Sequence, residues 1–176
     1  MELFEAIHTR RSVRSFEPGG VTDEQLRRLL GAAMTAPSAG NAQPWRFIVV
    51  TDRKLLDAVP EFSQFAAMAR QAPMGILVCG DTSLEKYPGY WVQDCAAATQ
   101  NLLLAARGLG LGAVWTGVHP MRDRMEGFRA LLGLPEHILP LSFIVIGRPG
   151  QEQKHQDRFR QDRVHMNGWK PMEGSS

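Results

Sequence analysis

Overall charge commits this chain to no partner, since twenty Lys and Arg side chains face eighteen Asp and Glu and leave a formal net charge of +2. A balance this even argues against nucleic acid or an anionic membrane surface as the main partner. Cysteine is nearly missing: Cys79 falls in an apolar, strand-like run and Cys95 in a helical one. Two such residues predict buried thiols in a reducing compartment, not a disulfide framework or a metal site. No uncharged apolar stretch approaches membrane-spanning length, and Met1-Glu2-Leu3-Phe4-Glu5 has neither the basic nor the apolar region of a secretory signal. The expectation is therefore a cytoplasmic protein with no membrane partner and no nucleic-acid partner.

Familiar catalytic signatures are missing too. The sequence has no Walker A motif, no nucleophile elbow and no histidine spacing of the zinc-protease type. Gly108, Gly110 and Gly112 follow a helical pattern and precede a strand, the wrong order for the phosphate turn of a dinucleotide-binding fold. His8, His119, His137, His155 and His165 are scattered, with no orienting carboxylate beside any of them. A nucleophilic Ser38 would lack an identifiable base. No catalytic side chain and no metal ligand is assigned.

What is present is one domain's worth of core. At 176 residues the chain is read as a single domain, 1–176, leaving another copy of the chain as the source of any second half of a binding site. Leu3, Phe4 and Ile7 share one face of a short helix, and a capping-box pattern at Thr22-Asp23-Glu24-Gln25 opens a second that Pro37 stops. Strands are expected over 46–51, 75–81, 113–118 and 139–147, and short helices over 52–59 and 62–70. A nearly uncharged helix over 90–107 should be buried on most sides, and an amphipathic one over 122–132 should lie on the surface. Residues 151–176 form a polar tail that cannot build a core alone and is suited to wrapping a second surface.

Two segments stand out. Arg10-Arg11-Ser12-Val13-Arg14 puts three guanidinium groups into five residues, a density that invites a dianion such as a phosphate ester. Pro37-Ser38-Ala39-Gly40-Asn41-Ala42-Gln43-Pro44-Trp45 carries no charge, and its turn-forming residues allow close backbone approach to a flat ring. Each has a plainer account. The arginines also suit a solvated helix end paired with acids such as Glu17, or a small nucleic-acid contact, and the loop suits an ordinary turn with Trp45 filling core.

Taken in order, with Gln100-Asn101-Leu102-Leu103-Leu104-Ala105-Ala106, Trp115-Thr116-Gly117 and Ile146-Gly147-Arg148-Pro149, these segments resemble the nitroreductase-like family of FMN-dependent NAD(P)H oxidoreductases. The resemblance implies an α+β fold, a central mixed or antiparallel sheet flanked by helices, in an intertwined homodimer whose tails embrace the partner. By the same resemblance Arg10, Arg11 and Ser12 hold the FMN phosphate and ribityl chain, Arg14 lies at the N1 and O2 edge of the flavin, and Arg158 completes the phosphate site. Pro37, Ser38, Ala39 and Asn41 come from the second subunit, supported by Gln43. Trp115, Thr116 and Gly117 present backbone groups near N5.

The implied reaction is ping-pong: NADH or NADPH delivers hydride, then a small-molecule acceptor such as a nitroaromatic, quinone or enone takes the electrons. A flavin carrier or sensor without turnover is the alternative. Two departures from the family pattern are visible. Residues 65–68 are uncharged where a second basic residue is common, and the tail offers both Arg158 and Arg160, of which Arg158 is preferred.

Overall fold

The computed structural model describes residues 1–154 and 157–169. Five helices and five strands alternate: α1 (Leu3–Thr9), β1 (Phe16–Glu17), α2 (Asp23–Met34), β2 (Trp45–Val50), α3 (Arg53–Phe62), β3 (Met74–Asp81), α4 (Trp91–Gly108), β4 (Gly112–Gly117), α5 (Arg122–Leu132) and β5 (Ile138–Pro149). Short 3-10 turns fill several of the gaps. The fold is α+β.

β5 organises the sheet because it is long enough to pair three strands. One edge runs against β3 from Ile138↔Asp81 to Ile146↔Met74, and β3 in turn carries β2. The other edge takes β4 over 142–147 and then β1 at Arg148 and Pro149. Every pairing of named strands is antiparallel, which settles the mixed-or-antiparallel alternative toward the second. β3 is buried along its whole length, as a strand covered on both faces must be. Its alternation divides the core: Ile76 and Val78 join α2 and α4 on one face, while Leu77 and Cys79 join α3 and α5 on the other. Glycine makes the fit at two points. A Cβ on Gly75 would lie 2.1 Å from the Phe143 ring, and one on Gly80 would lie 2.4 Å from the Trp91 ring.

The capping box forms as read, with Thr22 Oγ1 accepting from Gln25 N at 3.1 Å and Gln25 Oε1 from Thr22 N at 3.0 Å. Three elements depart from or refine expectation. β1 was not anticipated, since two residues leave no periodic signal. The helix expected over 62–70 is a 3-10 one, Gln64–Arg70, interrupted at Ala66, and Arg53 secures the chain just beyond it, its Nη1 donating to the Ala72 carbonyl at 2.9 Å. α4 is covered on most sides as expected but leaves one stripe open: Gln93 and Gln100 are exposed on it, with Ala97 and Leu104 partly so. The apolar face of α1 is likewise uncovered, with Phe4 73% exposed. Among the described residues no helix is long and apolar enough to cross a membrane.

Candidate functional site

α1 ends at Arg10, whose N–H closes the last turn on the Ala6 carbonyl at 2.9 Å. The chain then runs beside β4: Ser12 bridges Ala113 in parallel, and Val13 N donates to the Ala113 carbonyl at 3.0 Å. Val13 is the anchor, fully buried in the space that Gly112 leaves open. Alternation along this extended piece turns Ser12 and Arg14 away from Val13, with Arg14 exposed.

The early part of the tail holds the segment from outside. Gln151 Oε1 accepts from Arg14 N at 3.1 Å and Gln153 Oε1 from Arg11 N at 3.4 Å. Arg11 Nη1 turns back to the Arg10 carbonyl at 2.7 Å, and its Nη2 is buried with no partner among the described residues, as is Gln153 Nε2. The guanidinium of Arg10 has its pKa lowered first by burial, then by Arg11 and Arg158. These groups line a cleft of about 350 Å³ that also includes His8, Asp157 and Phe159. The structure therefore brings Arg158 to Arg10 and Arg11, whereas Arg160 is engaged in two 2.9 Å hydrogen bonds with Asp162. Glu17, the acid named for the plainer account, is paired with Arg148 at 3.0 Å.

The 37–45 loop is arranged in the opposite way. Ser38 Oγ accepts from Gln43 N at 2.9 Å, Gln43 Nε2 donates to Asn41 Oδ1 at 2.9 Å, and Lys86 Nζ donates to the Gly40 carbonyl. Ala39 N donates to Oδ1 of Asp94, a buried α4 residue, at 3.0 Å. Gly40, Asn41 and Gln43 all take positive φ, near +58°, +53° and +49°, conformations open to Gly and Asn and sustained at Gln43 by those bonds. Pro37, Ser38 and Ala39 then form one wall of a depression of about 360 Å³, with Tyr90, Gln93 and Ala97 opposite. That depression shares no lining residue with the arginine cleft.

The third piece is the outer edge of β4. Strand alternation points the backbone of Trp115 and Gly117 the same way as that of Ala113, toward the side where Ser12 and Arg14 lie. Trp115 is partly exposed, Thr116 is buried with Oγ1 donating to the Phe143 carbonyl at 2.7 Å, and the Gly117 carbonyl accepts from Arg124 Nη1 at 2.7 Å. Among the aromatic residues near these segments, Trp45 and Trp91 are core, while Phe65, Tyr87 and Tyr90 are exposed. Burial pushes both cysteine thiols up to about 12, and Cys95 Sγ donates to the Cys79 carbonyl, so neither is a nucleophile at neutral pH. Sequence reasoning missed Asp94, Lys86, Gln151, Gln153 and Arg124. Asp94, Lys86, Gln151 and Gln153 act through hydrogen bonds to residues far away in sequence, and Arg124 through a bond to Gly117 and the Phe65 ring, none of which a local pattern announces.

Comparison with known proteins gives a matching context. The sequence pattern of the nitroreductase family matches residues 7–66 and 64–148. A protein of Methanothermobacter thermautotrophicus, provisionally named NADH dehydrogenase/NAD(P)H nitroreductase, is 50% identical over 96% of this chain and 88% of its own length. The crystal structure of a Parabacteroides distasonis protein with the same provisional name is 45% identical, with TM-score 0.91 over 95% of this chain and 98% of that one. A provisionally named nitroreductase of Desulfovibrio desulfuricans, solved in complex with FMN, is 31% identical, with TM-score 0.82 over 95% and 97%. This chain belongs to the nitroreductase family.

Proposed function

We propose that the chain is an FMN-dependent NAD(P)H oxidoreductase of nitroreductase type, working as a homodimer of single-domain subunits. The observation that carries the reading is the arginine cleft. Arg10, Arg11 and Arg158 are gathered there, and a buried guanidinium nitrogen of Arg11 has no partner among the described residues. Burying a charged donor without an acceptor is costly, and a phosphate dianion supplies the acceptors and relieves the mutual repulsion. The D. desulfuricans relative, with FMN in its crystal, supports FMN as the bearer of that phosphate.

On this reading Arg10, Arg11, Ser12 and Arg158 hold the phosphate and ribityl chain. Arg14 sits at the N1 and O2 edge, where negative charge gathers on reduction, and a fixed cation there favours the reduced state without moving a proton. Trp115 and Gly117 face the reacting edge with backbone groups, while strand alternation turns the backbone of Thr116, the third residue expected there, toward β5. Pro37, Ser38, Ala39 and Asn41, steadied by Gln43, cover the ring from the partner subunit, which explains why the loop lines a separate hollow within one chain. The exposed α4 stripe and the apolar face of α1 supply the surfaces for pairing. When bound, FMN supplies a two-electron relay: hydride from NADH or NADPH arrives at N5 and the electrons leave to a nitroaromatic, quinone or enone in the same cleft. No side chain is assigned an acid or base role.

Purified protein reconstituted with FMN and mixed anaerobically with NADH or NADPH should lose its yellow colour, then regain it on adding a nitroaromatic. A protein that stays colourless after reconstitution contradicts the reading, and one that holds flavin without bleaching is a carrier.

A further inference from the structure

Arg122 and Arg124 stand in the first turn of α5, the end of a helix where a cation is least welcome. Asp123 is the only acid in that turn. Arg124 is nevertheless held in a definite place. Its Nη1 donates to the Gly117 carbonyl at 2.7 Å, and its Cζ lies 5.1 Å from the centroid of the Phe65 ring. That hydrogen bond falls on the same edge of β4 that meets the 12–14 segment. That segment meets the edge through the isolated parallel bridge of Ser12 to Ala113 and the bond from Val13 N to the Ala113 carbonyl, four residues before Gly117.

Phe65 is 62% exposed, and Met121, 51% exposed, shares with Arg124 a hollow that also takes in Phe62, Gln64, Glu61, Arg122 and Asp123. A planar cation lying on an aromatic ring, with one N–H committed among the described residues and others left, matches a flat ligand that carries a carboxylate.

We propose that Arg124, on its Phe65 platform, is a specificity-determining residue that selects anionic aromatic electron acceptors over neutral ones. The proposal rests on the reading that Gly117 faces the flavin's reacting edge. It concerns recognition of the acceptor's charged substituent, not the electron transfer itself.

The test compares the FMN-loaded enzyme on p-nitrobenzoate and on p-nitrobenzamide, which differ little in shape and by one charge. The wild type should favour the carboxylate in kcat/KM, and rising salt should erode that preference because the guanidinium is partly exposed. Arg124→Gln should lower the ratio of the two kcat/KM values by about tenfold, the scale of one charge-assisted hydrogen bond. Arg124→Lys should lower it less, since the charge stays and the planar fork is lost. Binding of benzoate against benzamide to the oxidised holoenzyme, read from the flavin absorbance, should shift in parallel without any turnover. Should Arg124→Gln fail to fold, Phe65→Leu and the salt series on the wild type carry the same test.

An equal preference for the two compounds in the wild type, or a ratio unmoved by Arg124→Gln, overturns the proposal. A protein that binds no FMN defeats the functional reading instead, so the two failures are told apart.

Discussion

The two segments that stand out in the sequence are built on opposite plans. The 37–45 loop satisfies itself: Ser38, Asn41 and Gln43 bond within it, and Asp94 and Lys86 close it from outside. The arginine segment is tied down by the buried Val13 side chain and by its backbone, through Gln151, Gln153 and Ala113, and leaves a guanidinium nitrogen buried with no partner among the described residues. One region is closed by its own hydrogen bonds, and on the proposed reading the other is completed by an anion. On that reading a preformed wall and a cluster of cations divide the labour for a cofactor with a flat ring and a phosphate, because the wall costs no ordering on binding while the charge supplies affinity.

The sharpest way to break that contrast is to remove the charge. Arg10→Gln combined with Arg11→Gln should weaken FMN binding by about a hundredfold or more, at roughly 1.5–3 kcal/mol for each charge-assisted contact. It should also flatten the salt dependence of binding, followed by flavin fluorescence. An affinity within a few-fold of wild type would leave the arginines as mere solvated charges.

Asp94→Ala attacks the loop with no change among the arginines. Stranding the Ala39 N–H costs about 1–3 kcal/mol. Flavin affinity should fall by about tenfold while its salt dependence stays as steep as in wild type, a split that separates shape from charge. Loss of the salt dependence here would erase the distinction.

Asp81 supports the loop's exit, its N–H donating to the Pro44 carbonyl at 2.7 Å and its carboxylate pairing with Arg46 at 2.9 Å. Desolvation raises the pKa of that carboxyl, but hydrogen bonds from Ser83, then Arg46 and His137, outweigh it and the net shift is downward from 3.8. A lowered folded-state pKa means the stabilisation is present above the unfolded value and fades as pH falls through the folded one. Asp81→Asn should thus cost about 1–2 kcal/mol at neutral pH and lose less stability than wild type on acidification below 3.8, read from melting temperatures across pH. The smallest expected effect is Gln153→Ala, which frees Arg11 N and should weaken FMN binding by about threefold, at the lower end for one neutral hydrogen bond. A loss as large as that of the arginine pair would mean the tail itself, and not the charge, holds the phosphate.

The legibility of the two regions differed for the same physical reason. Helices and strands with a full period showed in the sequence, so α2, α5, β3 and β4 lie within a residue or two of expectation. The arginine string and the turn-rich loop were visible as compositions. What completes them was not: Gln151 and Gln153 sit more than 130 positions from their partners, and Asp94 55 positions from Ala39. The exposed side of α4 was hidden because Ala and Gln are as much at home in a core or an interface as on a surface. Arg158 was preferred over Arg160 in the sequence, and the fold sets it beside Arg10 and Arg11 while Arg160 bonds Asp162.

The central claim is that these two regions meet across a subunit boundary, and mixing two crippled chains tests it directly. Arg10→Gln with Arg11→Gln disables one half, and Ala39→Trp blocks the other. Neither variant alone should hold FMN. If each site takes its arginines from one subunit and its loop from the other, random re-pairing restores about a quarter of the wild-type sites, counted by bound flavin and NAD(P)H oxidation. If the mixture stays as empty as its parents while exchange of subunits is verified, both halves belong to one chain and the account is wrong.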